Sequence, residues 1–416
     1  MKSLTCHEKV IIEANVVVKD SFDVIEKAFI RIEDGYFTEI REDSLNSSGC
    51  LRYKAKGMLM IPGLINSHTH IGDSFFKDFG IGKSLNELFR PISGLKHRLL
   101  SSAPENLIVK SMRNSVFDML RCGITTFADF REGGKRGIEL IKKAIKGLRI
   151  KPIILGRPNY YFNEDDVVKN YEMPEDKIRE VEEILEICDG IGLSGPNEYT
   201  DKAMRELSRL AKRKKKICAI HACEDKSSMD FSIKNFHQSE VGRALRNFNP
   251  DFIVHLTQAK EEDIEIVSKA NVPIVCCPRA NSILGLGFPP IVEMMRKGIT
   301  IALGTDNVML NSPDLFREMD YTSRILRALE RDPSAVSSED IFKMVTINPA
   351  KALKLDKEIG SIEEGKIANA VFIRMNTKNL ESTKDPINTL VHRVRPDDIR
   401  AVMVNGEIAY GSLPKY

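Results

Sequence analysis

The chain has 416 residues, 42% of them hydrophobic and 29% charged, which fits a soluble globular protein with a large core and more than one structural unit. Its 62 Lys plus Arg against 59 Asp plus Glu leave a formal net charge of +3, and this supplies no electrostatic case for nucleic acid or a membrane as partner. The eight cysteines lie scattered in apolar segments without a C-x-x-C pair, no signal-peptide apolar region opens the chain and no apolar run could span a bilayer, so the expectation is a cytoplasmic protein with reduced thiols.

Residues from about 8 to 58 read as β structure, with Val10-Ile11-Ile12, Asn15 to Val18 and Ala28 to Ile32 as apolar or alternating runs and Glu33-Asp34-Gly35 as a hairpin turn. From Leu59 the texture becomes short apolar runs alternating with amphipathic helices. The expected strands are Leu59 to Asn66, Ile124 to Asp129, Pro152 to Gly156, Gly190 to Gly195, Ile217 to His221, Phe252 to Leu256, Pro273 to Cys277 and Ile299 to Gly304. Helical patterns such as Glu105 to Arg121, Pro174 to Ile187, Asp201 to Lys212 and Glu261 to Ala270 fall between them. About eight such units predict an α/β chain folded as a (β/α)8 TIM barrel over residues 59–356. A doubly wound sheet is the alternative, but no Gly-rich phosphate fingerprint follows the first strand. The basic run Lys212 to Lys216 reads as a solvated helix end. After Asp306 the pattern is helical through Phe316 to Glu330 and Ser338 to Leu355, then returns to β runs at Ala370 to Ile373 and Val402 to Val404 before the turn Asn405-Gly406. Residues 1–58 and 357–416 are therefore expected to form one β domain together.

Strand ends carry the chemistry in such a barrel. Four of the eight histidines fall there: His68 and His70 on the first strand, His221 on the fifth and His255 on the sixth, with Asp306 on the eighth. Alternate residues of a strand face one side, so His68 and His70 can address one point, although a His-x-His pair alone is as readily a surface accident. His7, His97, His237 and His392 read as structural or surface histidines. Three imidazoles and a carboxylate suit Zn²⁺, or Fe²⁺, with a position left for water, whose pKa falls to roughly 7. His68, His70, His221 and Asp306 are the expected ligands, His255 the base or orienter of the water, and Asp306 a proton acceptor as well. Glu224, three residues past His221, is placed to carry a proton to a substrate nitrogen, the alternative being a solvent-facing loop glutamate.

The segments Pro62-Gly63-Leu64-Ile65-Asn66-Ser67-His68-Thr69-His70, His221-Ala222-Cys223-Glu224, Cys277-Pro278-Arg279-Ala280-Asn281 and Leu303-Gly304-Thr305-Asp306 resemble the amidohydrolase superfamily, in the branch of the cytosine deaminase, S-adenosylhomocysteine deaminase and triazine chlorohydrolase relatives. The resemblance runs through Gly360 to Lys366 and implies a barrel with a β-sandwich made from both chain ends. It also implies a single metal, since no lysine ends the fourth strand. The chain lacks tryptophan, which adenosine-type deaminases of this branch usually carry after the first strand, and Asn307 stands where Gly or Ser is common, so the ring system stays open.

The expected activity is hydrolysis of a carbon–nitrogen bond other than a peptide bond, namely deamination of a nitrogen heterocycle (purine, pyrimidine, pterin or related) with release of ammonia. Hydrolysis of a cyclic amide or a C–Cl bond, or a non-catalytic family member, are the alternatives. The partner is a small heterocyclic substrate, with no nucleic acid and no membrane, and a homo-oligomer is compatible with the sequence. Arg131, Arg157, Glu198, Arg279 and Asn281 are the expected substrate contacts. The three arginines favour an anionic substrate unless each pairs with a neighbouring acid such as Asp129, Glu132 or Glu198.

Overall fold

The computed structural model describes residues 9–46, 48–90 and 93–415, so Cys6 and His7 lie outside the described residues. The chain opens with β1 (Val10–Val18), β2 (Asp23–Glu33), β3 (Tyr36–Arg41) and β4 (Leu51–Pro62). Asp34 and Gly35, at φ +54° and +84°, make the two-residue turn between β2 and β3. Both positions need the left-handed region there because the twist of such a turn matches that of its strands. The chain then passes through β5 (Leu64–His70), β6 (Ile124–Arg131), β7 (Lys151–Gly156), β8 (Gly190–Leu193), β9 (Ile217–Ala222), β10 (Phe252–His255), β11 (Ile274–Cys276), β12 (Ile301–Leu303) and β13 (Asp306–Asn307). It closes with β14 (Ala370–Arg374), β15 (Ile399–Val404) and β16 (Glu407–Gly411).

These strands form two sheets. One is seven-stranded, in the order β16-β15-β14-β4-β1-β2-β3, and joins the two ends of the chain where β14 pairs antiparallel with β4. Period-two alternation gives it two apolar faces: Leu59, Ile61, Val371 and Ile373 enter the large core shared with the helices, while Met60 and Phe372 enter a second core with Ile12, Ile30 and Phe37. The other sheet is nine-stranded and all parallel within its runs, in the order β12-β11-β10-β9-β8-β7-β6-β5-β13. Its two edge strands are consecutive in the chain, with only Gly304 and Thr305 between β12 and β13, so the sheet curls until its edges meet.

Three expected elements differ. The run Leu59 to Asn66 is divided: Leu59 to Pro62 ends β4 of the terminal sheet, and β5 of the parallel sheet begins at Leu64. Gly63 makes the transition, at a point where a Cβ would lie 2.3 Å from Thr125 Oγ1. The long helix expected over Ser338 to Leu355 is two, Ser338–Lys343 and Ile347–Ala352. Pro349 fits the break, since it lacks the N–H that would bond Val345 O and so sits in the first turn of the second helix, while Val345 O accepts from the Ile65 N–H at 2.9 Å. The eighth strand is interrupted at Gly304, whose N–H donates to Cys276 O at 2.9 Å. The basic run does close a helix, Asp201–Arg213, and Arg213 reaches Glu182 at 2.9 Å. Among the described residues no helix is long and apolar enough to cross a membrane.

Gly304 shows how tightly the curled edges meet, because a Cβ there would lie 2.7 Å from His68 Cβ and 2.9 Å from its backbone. Gly304→Ala is therefore expected to cost about 1–3 kcal/mol through overpacking and to displace His68. Denaturant melts with metal analysis check this; a variant with wild-type stability would show that the edges have slack.

Candidate metal centre and active site

The period of β5 places His68 and His70 on one side of the sheet, and curling brings β9 and β13 around to them. His221 Nε2 lies 3.2 Å from His68 Nε2 and 3.4 Å from His70 Nε2. Asp306 Oδ1 is 3.4 Å from His68 Nε2 and 3.7 Å from His70 Nε2. The second nitrogen of two of these rings is committed: His221 Nδ1 donates to Leu193 O at 2.7 Å, and His70 Nδ1 meets Phe130 O at 3.1 Å and Glu132 Oε1 at 2.8 Å. Their Nε2 atoms then carry lone pairs that face one another, an arrangement that repels unless a cation sits between them. Burial lowers His68 to about 3 against the pull of Asp306, and burial with the neighbouring imidazoles holds His221 well below its ordinary value. Burial pushes the Asp306 carboxyl upward, but His68, His255 and His70 outweigh it and keep it ionised. Neutral imidazoles and one anionic carboxylate are the donor set of a divalent metal, so the residues fit the group. His68 is fixed differently from the other two rings, packing edge-on against Phe130 with centroids 4.4 Å apart while its Nδ1 stays buried without a partner.

Cys223, His255 and Asp306 have φ of +53°, +81° and +61°, a left-handed backbone that costs side-chain-bearing residues roughly 1–3 kcal/mol each. The sheet holds them there: Asp306 pairs in register with Thr69, and the Leu256 N–H donates to Ala222 O at 3.1 Å.

His255 Nε2 lies 3.5 Å from Glu224 Oε2, and Glu224, His255 and Asp306 offer donor atoms within 4.8 Å of one another. The Asn281 amide nitrogen donates to His255 Nδ1 at 3.2 Å, which leaves the ring proton on Nε2, facing Glu224. Burial lowers His255 to about 4, so in this tautomer it donates to the site and orients what binds there instead of acting as a base. The carboxyl of Glu224 is pushed well above its usual range by burial, then by Asp306, Asp225, Glu240 and Glu198. Its side chain keeps 20% exposure, on the cavity wall.

Glu240 holds the Glu224 loop in place. Its Oε2 accepts from the Cys223 N–H at 2.7 Å, its Oε1 from Asn197 Nδ2 at 2.9 Å, and Asn197 Oδ1 in turn accepts from the fully buried Arg243 at 2.8 Å. Glu240→Ala would orphan the buried Cys223 N–H and leave Asn197 Nδ2 only Ser228 O, so about 1–3 kcal/mol of stability should be lost. Turnover should fall while metal content holds, and an unchanged melting curve would show that the loop does not depend on this carboxylate.

The centre opens into a cavity of about 900 Å³. Arg157 and Glu198 line it. Arg131, Arg279 and Asn281 do not, because protein partners hold them: Arg131 lies 2.5 Å from Glu132 and 3.3 Å from Asp129, Arg279 lies 3.5 Å from Glu318, and Asn281 is bonded to His255. His97, read from sequence as structural, is also on the cavity wall, edge-on to Tyr161 with centroids 5.6 Å apart. Sequence reasoning offered Glu132 only as an arginine partner, not as a residue of the centre, and missed Lys96. Glu132 joins His70, Arg131 and Lys96, the last at 2.5 Å, and Lys96 lies 3.7 Å from Asp73. A search for carboxylates one residue past a strand end would have found Glu132, whereas nothing local marks Lys96.

The amidohydrolase family model matches residues 59–409. A putative aminohydrolase of Methanothermobacter thermautotrophicus is 37% identical, over 91% of this chain and 93% of its own length. A 5-methylthioadenosine/S-adenosylhomocysteine deaminase of Caldanaerobacter subterraneus subsp. tengcongensis is 29% identical, over 95% and 91%. Among solved structures, an adenosine deaminase of Xanthomonas campestris with bound zinc shares the fold at a TM-score of 0.83 and 18% identity, over 97% of this chain and 92% of that one.

Proposed function

The chain belongs to the amidohydrolase family, and on that premise we propose that it is a metal-dependent hydrolase that deaminates a nitrogen heterocycle, consuming water and releasing ammonia. The observation that carries this reading is the convergence of three imidazoles and Asp306 at one point, with Glu224 and His255 beside it on the cavity wall. The names of the relatives, an aminohydrolase and a deaminase of an adenine thioether nucleoside, support the same chemistry. The curled parallel sheet is best read as a (β/α)8 barrel over 59–356, and the terminal sheet as a β-sandwich domain of 1–58 and 357–416.

His68, His70, His221 and Asp306 would hold one divalent ion, zinc in our reading because of the nitrogen-rich donor set and the zinc of the Xanthomonas structure. Such an ion, when bound, would supply as nucleophile a water whose pKa is lowered to about 7. Glu224 takes a proton from that water and passes it to the ring nitrogen as the oxygen adds to the amino-bearing carbon. The Nε2–H of His255 orients the attacking oxygen. Asp306 receives the second proton and returns it to the departing amino group, so the C–N bond breaks, a C=O forms and ammonia leaves. The buried site keeps bulk water from competing for these protons.

A cytoplasmic setting is supported by the cysteines, since Cys122, Cys188, Cys218, Cys223, Cys276 and Cys277 are free and buried. The decisive experiment follows ammonia release from purines, pyrimidines, pterins and triazines with protein of measured metal content. Ammonia from at least one ring is the expected result. Chloride from a chlorotriazine, or ring opening without ammonia, would overturn the deaminase reading.

A further inference from the structure

Lys96 is the one residue of the helix Leu95–Ser102 that is buried, at 3% exposed. A surface helix ordinarily buries apolar side chains and leaves its lysines in water, and lysine is almost never fully buried without a partner. Here Leu95 and Leu99 are only partly covered, against a cluster of Phe76, Leu88, Met309 and Leu310, and the ammonium group goes inward instead. Its Nζ lies 2.5 Å from Glu132 Oε1 and 3.7 Å from Asp73 Oδ2. The two carboxylates do not need it equally. Asp73 already accepts from Asn307 Nδ2 at 2.7 Å and from the Met309 N–H at 3.1 Å. Glu132 is divided: Oε2 is taken by Arg131 at 2.5 Å, while Oε1, which lies 2.8 Å from His70 Nδ1, has no aligned hydrogen-bond donor and is held by charge. Arg131 is not free to take over Oε1, since it also lies 3.3 Å from Asp129 and packs so closely that a Cβ on Gly72 would run into its guanidinium. The cation nearest to the carboxylate oxygen beside a candidate metal ligand is therefore Lys96 Nζ. It is delivered by a helix whose next residue, His97, lines the cavity.

We propose that Lys96 is a positioning residue of the metal centre: by drawing Glu132 Oε1 to His70 Nδ1 it strengthens His70 as a donor and couples the seating of the helix Leu95–Ser102 to retention of the ion. This rests on the reading of His70 as a metal ligand. An imidazole gives its Nε2 lone pair to a metal more strongly when a carboxylate faces its Nδ1–H, and the other acceptor at that position, Phe130 O at 3.1 Å, is neutral. With Lys96 gone, the cations left to Glu132 are Arg131, on Oε2, and Arg157, 3.6 Å from Oε1. Neither holds Oε1 within hydrogen-bond distance, so the carboxylate loses its place beside the ring. The coupling runs both ways, because whatever the seated helix adds to metal affinity the metal adds to the seating of the helix.

The test reads the metal first and turnover second. Zinc dissociation constants are measured by chelator competition for wild type, Lys96→Met, Lys96→Arg, Glu132→Gln and the double variant Lys96→Met/Glu132→Gln. Lys96→Met and Glu132→Gln are each expected to weaken zinc about ten- to a hundredfold, the usual cost of losing a group that orients a ligand. Because Lys96 acts through Glu132, the double variant should bind no more weakly than Glu132→Gln alone. Lys96→Arg, which keeps the charge, should recover most of the wild-type affinity. Hydrogen exchange at the backbone amides of Leu95–Ser102 gives a reading even if Lys96→Met does not fold: zinc should slow it in wild type and not in Glu132→Gln. Unaltered zinc affinity in Lys96→Met, losses that add in the double variant, or exchange indifferent to zinc in wild type overturns the proposal. So does a raised KM at full metal occupancy with kcat unchanged, the mark of a lysine that meets substrate. Zinc that fails to bind wild type removes the metal reading and this proposal with it, whereas zinc bound equally well by wild type and by every Lys96 and Glu132 variant removes the proposal and leaves the metal reading standing.

Discussion

In the His68→Ala protein, metal content is expected to drop from about one ion per chain to near zero, with activity lost in parallel. The size of the effect follows from the donor count. Three nitrogens and one carboxylate oxygen would hold the ion, and His68 Nε2 lies within 3.4 Å of both His221 Nε2 and Asp306 Oδ1, so its removal would open the middle of the set. Asp306→Ala should do the same for a second reason, since it takes away the anionic donor and leaves a dication among neutral rings. A readout that needs no substrate accompanies both. Ligand that binds only the native state stabilises it by RT ln(1 + [L]/Kd), about 2.7 kcal/mol at a hundredfold excess over Kd, so zinc should raise the Tm of wild type and leave that of His68→Ala unmoved. Elemental analysis that finds full metal in both variants would falsify the ligand assignment.

Glu224→Gln is expected to retain its metal and lose roughly 10²–10⁴-fold in kcat, the range for a general acid/base group. Glutamine fills the same volume and can still accept a hydrogen bond, but it cannot take a proton from the nucleophile and deliver it to the ring. Glu224 shares a possible donor set with His255 and Asp306 but with none of the three converging imidazoles, so metal content is expected to separate this variant from the His68 variant. His255→Asn should also keep the ion and lose turnover, since no Nε2–H remains to face Glu224. Turnover near the wild-type rate in Glu224→Gln would remove the proton shuttle from the mechanism and point to Asp306 alone.

The sequence by itself determined the alternation of strands and helices, and the strand-end positions of His68, His70, His221, His255 and Asp306, because both follow from local periodicity. Apolar runs four to eight residues long between amphipathic helices read as parallel strands, and the period of two puts His68 and His70 on one side without any knowledge of the fold. The turns at Asp34-Gly35 and Asn405-Gly406 were legible for the same local reason, and Asn405 and Gly406 take φ of +53° and +76°.

Tertiary structure decided what depends on residues far apart in the chain. The apolar run from Leu59 is continuous in sequence, yet it splits at Gly63 because one half pairs with β14 and the other with β6. Arg131, Arg157 and Arg279 look equivalent one step beyond their strands. Only packing separates them, since Asp129 and Glu132 close on the first, Glu318 on the last, and the middle one is left facing the cavity. Lys96 comes from a helix with no motif, and Glu240 reaches the Glu224 loop from another helix, so neither could be tied to the site before the sheet curled. Side-chain periodicity is a property of the local backbone, whereas charge pairing depends on which segments meet in space. For that reason the candidate ligands could be read in one dimension, and the groups that orient them and select a substrate could not.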